Sequence, residues 1–117
     1  MKVHEVKAKN IQGNIRKDNN RYIVKDNDYL EDLVLSSTKL YAFENTLGHS
    51  HDNDEIYFFI EGTGDIKIGD VTVSASPGDI YLIPKNDFHQ VINTTDEILY
   101  FLTVFPSMHL TYGQQNK

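Results

Sequence analysis

The sequence contains no cysteine. Disulfides, thiolate metal sites and a cysteine nucleophile are therefore excluded, and the absence fits a reducing compartment. Long apolar runs are also missing: none approaches the ~18 residues needed to span a bilayer. The opening stretch, MKVHEVKAKNIQGNIRKDNN, shows no apolar h-region and no cleavage pattern, so a cytoplasmic protein that meets no membrane is expected. Basic residues are few, 11 Lys and Arg against 17 Asp and Glu, for a net charge of -6. That balance argues against nucleic acid or an anionic membrane as partner. The two small basic clusters, Lys7/Lys9 and Arg16/Lys17, read as a solvated N-terminal face. Proline occurs three times, at Pro77, Pro84 and Pro106, each placed to interrupt a helix.

What is present describes one domain. A chain of 117 residues with 39% hydrophobic and 11% aromatic content can bury one core. Residues 1–29 are polar and rich in Asn and Asp, with short strands expected at KVHEVK and RYIVK, and this segment could supply a dimer strand. At most one short helix is expected, around Tyr29–Leu33. From residue 30 to 105 the apolar runs are short and rich in β-branched and aromatic residues: LVLSSTKLYAFENT, EIYFFIEG, DIKIG, VTVSAS, IYLIP, FHQVIN and ILYFLTVF. Between them stand turn signals, GTGD, GD, SPGD, PKND and NTTDE, which use Gly for positive φ, Pro for fixed φ and Asx side chains as local caps. Many short strands at such spacing predict an all-β antiparallel barrel or sandwich. The tail, 106–117, leaves this pattern; His109 within it reads as a surface or packing histidine.

Chemistry concentrates in GHSHDNDEIYFFIEG, Gly48 to Gly62. In a strand, positions i and i+2 share a face, so His49 and His51 would project together. Glu55 then opens an otherwise apolar strand, where a carboxylate is costly to bury unless paired or bound to a cation. Two exposed loop histidines beside an acidic turn would give the same local sequence, so this stretch alone leaves both readings open. The stretch SPGDIYLIPKNDFHQVIN adds a hairpin whose returning strand begins near His89, able to face the first three groups. Alone, His89 would read as a strand histidine satisfied by a carbonyl.

Together these residues resemble the cupin superfamily, small jelly-roll β-barrels with two short motifs. The first is G-x5-H-x-H-x3,4-E-x6-G, and His49, His51, Glu55 and Gly62 stand at its spacings. The second is G-x5-P-x-G-x2-H-x3-N, and Gly78, Pro84, His89 and Asn93 stand at its spacings. Two positions depart: Phe43 replaces the first motif's opening glycine, and Asn86 the second motif's middle glycine. The resemblance covers about residues 33–105. It implies an antiparallel jelly-roll barrel in which His49, His51, Glu55 and His89 bind one divalent transition metal. Three imidazoles and a carboxylate suit Mn, Fe, Ni, Co, Zn or Cu, with positions left for water or substrate.

Three function classes follow from the resemblance. The first is a metal-dependent isomerase or lyase acting on a small sugar-like molecule, with Glu55 and Tyr57 as the catalytic side chains. The second is an Fe(II)-dependent dioxygenase, and the third a non-catalytic small-molecule sensor. Tyr57 and Phe59 share the face of Glu55 by alternation and should line the cavity; Tyr41, Tyr81, Phe88 and Tyr100 are further aromatic candidates. Lys39 and Lys85 are the cations nearest the motif strands. With no visible concentration of Lys or Arg, a strongly anionic substrate such as a sugar phosphate is disfavoured. A homodimer is expected, with residues 1 to about 30 or the tail in the interface.

Overall fold

The computed structural model describes residues 3–107. Nine strands follow one another: β1 (Asn14–Asp18), β2 (Tyr22–Asn27), β3 (Leu33–Leu40), β4 (Glu55–Glu61), β5 (Gly64–Ile68), β6 (Val71–Ala75), β7 (Ile80–Ile83), β8 (His89–Ile92) and β9 (Leu99–Pro106). All pairings are antiparallel, in a six-stranded sheet ordered β1-β2-β3-β9-β4-β7 and a three-stranded sheet ordered β6-β5-β8. The described residues contain no helix. Two antiparallel sheets face to face make this an all-β, jelly-roll-like fold.

Each of the seven apolar runs from residue 33 onward supplies one strand, and the turn signals lie between them. RYIVK lies within β2, but at KVHEVK residues 3–6 are irregular and Lys7 forms only an isolated bridge with Asn10. The helix expected around Tyr29–Leu33 is absent. Residues 30–32 bend, and Ser107 ties the bend down by donating its N–H to the Asp32 carbonyl and its hydroxyl to the Glu31 carbonyl. His109 lies outside the described residues.

The core sits between the sheets. Leu40, Phe59, Ile66, Ala75, Val91, Leu99 and Phe101 pack there with Tyr22, Val24, Tyr57 and Ile83. Burying each large side chain contributes about 1.5–3 kcal/mol. Period-2 alternation selects this set: in β4, Tyr57 and Phe59 point inward while Ile56 and Phe58 face out. A smaller cluster covers the outer face of β9, where Val6 and Ile11 of the N-terminal arm lie on Tyr100 and Leu102.

The chain between β3 and β4 sets up the functional region. Residues 44–49 run along the free edge of β8 as an irregular extra strand. The Thr46 N–H donates to the Val91 carbonyl while the Val91 N–H donates to the Thr46 hydroxyl oxygen, Asn93 donates its N–H to the Glu44 carbonyl, and His49 pairs with His89. Asn93, 2% exposed, anchors the entry to this path. Its side-chain amide donates to the carbonyls of Leu40, Tyr41 and Glu97, and its oxygen accepts the N–H of Thr95.

Candidate metal centre

His49 and His89 are placed by the backbone. Each donates its N–H to the other's carbonyl, at 3.2 and 2.9 Å, so the two residues form one rung of a ladder. His51 is placed differently from the expectation of one strand carrying both histidines. It lies in the loop before β4, and Asn86 in the β7–β8 turn holds that loop by donating its N–H to the His51 carbonyl. A second tie runs from the Lys85 N–H to Asp54 Oδ1 at 2.9 Å. The two motifs meet through these loop contacts.

Three imidazoles converge as a result. Ring centroids lie 4.2 Å apart for His49 and His51, 4.9 Å for His49 and His89, and 5.3 Å for His51 and His89. One ring nitrogen from each lies within 4.8 Å of the others, a group that could hold a metal ion. Hydrogen bonds orient two of the rings. The Nδ1 of His49 lies 2.8 Å from the Leu47 carbonyl, and that of His89 lies 3.0 Å from the Asp87 carbonyl. With Nδ1–H donating, Nε2 keeps its lone pair for a cation, the arrangement common to metal-binding histidines. The carbonyl that would satisfy an ordinary strand histidine is thus present at His89, and the other nitrogen still faces the cluster.

Glu55, the first residue of β4, brings its carboxylate to the same place. Its oxygens lie 3.3 Å from His89 Nε2 and 3.8 Å from His51 Nε2, and its side chain is 10% exposed. The shorter contact is not aligned as a hydrogen bond, so the buried His89 Nε2 has no hydrogen-bond partner. A buried nitrogen left over in a polar pocket costs about 1–3 kcal/mol unless something else binds it. Neutral imidazoles and a carboxylate fit a divalent first-row cation, and the leftover nitrogen is the observation that favours one.

The protonation equilibria reflect the crowding. Burial lowers the pKa of His51, His49 and His89 push it the same way, and Glu55 opposes them. Burial also acts to lower His89, but the Glu55 carboxylate and the Asp87 carbonyl outweigh it and the net shift is upward. Burial drives the Tyr57 phenol well above its usual range, with the Glu55 charge adding to the effect, so this group stays protonated.

A cavity of about 190 Å³ opens beside the cluster. His49, His51, Glu55 and Tyr57 line it, and His89 does not. Phe59 shares their face but lies deeper, fully buried in the core. Tyr41, Tyr81, Phe88, Tyr100, Lys39 and Lys85 do not reach it. Tyr81 instead donates to the Ser74 carbonyl, and Tyr100 to the Ala8 carbonyl under the N-terminal arm. Other groups that the sequence did not assign to the site do reach the cavity: Thr38 and Thr103 from the sheet, Thr46 and Asn53 from the loops, and Arg16 with Lys17 from β1. Arg16 and Lys17 are exposed, as the solvated-face reading has it, but both also border the cavity, a grouping of cations that the sequence did not reveal.

Residues 44–105 match the cupin domain family. The chain belongs to that family. Both departures from the cupin motifs fall at left-handed backbone positions, with φ 58° at Phe43 and 73° at Asn86. Among curated proteins, this cupin is 31% identical over 100 residues to a glucose-6-phosphate isomerase of Thermococcus onnurineus, covering 74% of this chain and 53% of that enzyme. It is 30% identical over 66 residues to a 5-aminosalicylate 1,2-dioxygenase of a Comamonas species, covering 56% of this chain and 18% of that enzyme. The chain thus spans about half the length of the isomerases it matches. Among solved structures, the polyketide cyclase RemF from Streptomyces resistomycificus superposes with a TM-score of 0.73 at 18% identity, over 90% of this chain and 80% of that one. KdgF from a Halomonas species gives 0.70 at 18% identity, over 80% and 86%. Both likenesses speak to the fold.

Proposed function

We propose that this cupin is a metal-dependent isomerase or lyase acting on a small sugar-like molecule. The observation that carries the reading is the convergence of three imidazoles and the Glu55 carboxylate beside a cavity whose wall includes hydroxyl and amide groups. A bound divalent cation would supply Lewis-acid polarisation of substrate oxygens. His49, His51, His89 and Glu55 would hold it. Thr38, Thr46, Thr103 and Asn53 offer the hydrogen-bonding wall that a polyhydroxy molecule needs to be oriented. Glu55 also stands at the cavity face, where its carboxylate can take and return a proton. Tyr57, kept neutral by burial, can donate a hydrogen bond to a substrate oxygen. The isomerase relatives agree with this class of reaction.

A second reading, an Fe(II)-dependent dioxygenase, has its own support in the aromatic part of the wall, Tyr57, Phe101 and Phe105, and in the Comamonas relative.

We also propose that the protein acts as a homodimer, through the outer face of β4 and β7. Ile56, Phe58, Ile80 and Leu82 are exposed together there, and β7 ends the six-stranded sheet. The N-terminal arm, expected from sequence to join the interface, already covers β9 of its own chain.

The test begins with metal content. Untagged protein should carry about one equivalent of a divalent transition metal, and His51→Ala and His89→Ala should each lose most of it; unchanged stoichiometry in both removes the site. Incubation of the metal-loaded protein with candidate sugars in deuterated water should then place solvent deuterium on a sugar carbon. Oxygen uptake on adding aminophenolic acids, without such exchange, would favour the dioxygenase instead.

A further inference from the structure

Arg16 and Lys17 are neighbours in sequence, yet both line the cavity. Regular strand alternation would send them to opposite faces. The pairing of β1 with β2 explains the difference: Ile15 lies opposite Lys25, Lys17 lies opposite Val24, and Arg16 is the extra residue of a bulge between them. Bulges of this kind redirect side chains and are common beside functional sites.

The Arg16 guanidinium is also held in place. Its Nε donates to Asp26 Oδ2 at 2.7 Å, and its central carbon sits 5.8 Å from the centre of the Phe105 ring. The pair with Asp26 uses Nε, so the terminal nitrogens keep a planar fork of donors suited to an oxyanion. The negative groups facing the guanidinium are Asp26, engaged through Oδ2 while its buried Oδ1 has no hydrogen-bond partner, and Glu55 at the metal cluster. In a chain with net charge -6, two cations at the rim of one cavity are not a background feature.

We infer that the substrate carries an oxyanion, and that the bulge-presented Arg16, assisted by Lys17, binds that anion while the rest of the molecule reaches the histidine cluster. The inference rests on the proposed sugar-like substrate and narrows it to an acidic or phosphorylated form. Arg16 and Lys17 are specificity-determining groups in this scheme, distant in sequence from both cupin motifs.

The test uses the metal-loaded full chain and calorimetric titration with three probes: glucose 6-phosphate, glucuronate and glucose. At least one anionic probe should bind about tenfold or more tightly than glucose, as expected for charge-assisted hydrogen bonds to a guanidinium. Arg16→Gln should erase that preference with glucose affinity and metal content unchanged. Lys17→Gln leaves the Arg16–Asp26 pair intact, so it serves as the variant that does not disturb packing, and it should weaken the same anion about threefold. Whichever probe shows the larger dependence on Arg16 identifies the anion as phosphate or carboxylate. Equal binding of all three probes, or wild-type anion affinity in both variants, overturns the inference. A wild-type protein that takes up no metal would instead sink the proposed function, so the two failures are distinguishable.

Discussion

Phe43 occupies a backbone region that bulky L-residues rarely enter, with φ 58° and a side chain that is 66% exposed. The strain is not repaid by burial. It is held by the turn itself, in which the Phe43 N–H donates to the Thr95 carbonyl and the Glu44 N–H to the Tyr41 carbonyl. A left-handed residue other than glycine costs about 1–2 kcal/mol, whereas glycine costs more entropy on folding, about 0.5–1 kcal/mol. Phe43→Gly should therefore leave the site unchanged and raise stability by about 0.5–1 kcal/mol, read as a higher urea midpoint at constant slope. A lower midpoint would show that the phenyl ring contributes contacts of its own. The motif glycine's conformation was legible at this position even though the glycine was not. The same holds at Asn86, a residue that tolerates the region better. Glu55 and His89 were legible as strand starts, and His49 and His51 as motif members, although the loop that carries His51 was not. Arg16 was not, because its place depends on a bulge, and an Arg-Lys pair in a polar segment carries no mark of one.

At the scale of elements, the strands from β3 onward could be read from turn chemistry, since Gly, Pro and Asx residues end each short apolar run. The N-terminal third was harder. Its apolar residues are few, and what they pack on lies far away in sequence: Ile11 on Tyr100, and Tyr22 and Val24 in the core. The apolar residues near Tyr29–Leu33 suggested a helix, but Tyr29, Leu30 and Leu33 are all exposed and have no helical face to bury. The β4–β7 pair presents the opposite case, a well-formed element with apolar residues on its outer face. Ile56 pairs with Leu82 and Phe58 with Ile80, and Leu82 is 71% exposed. A bare apolar face on an edge strand favours self-association by two-fold pairing. Wild-type protein should sediment as a dimer at micromolar concentration. Ile80→Lys with Leu82→Lys should sediment as a monomer with its metal still bound. A monomeric wild type would refute the interface.

For the whole molecule, the decisive feature is that the candidate ligands come from both sheets: Glu55 from the six-stranded one, and His49 and His89 from the three-stranded one and its edge. A cation bound to all of them would cross-link the fold, and its binding free energy would add to folding stability. The pH dependence has two opposed parts. Without metal, the raised pKa of His89 favours the folded state below about 6.5, and this contribution is lost as pH rises through the raised value. Metal binding requires the imidazoles to be neutral, so its contribution grows over the same interval. The rise in Tm on adding metal to chelator-treated protein should therefore be small at pH 5 and several degrees larger at pH 8. A shift independent of pH would exclude histidine ligation. The rung shared by His49 and His89 has a consequence for divergence. Their spacing is inherited from main-chain pairing and owes little to the side chains around the cavity. Threonines, aromatics or the rim cations could be exchanged with the imidazoles staying where they are. One inorganic anchor can thus be kept while the organic molecule it serves is replaced.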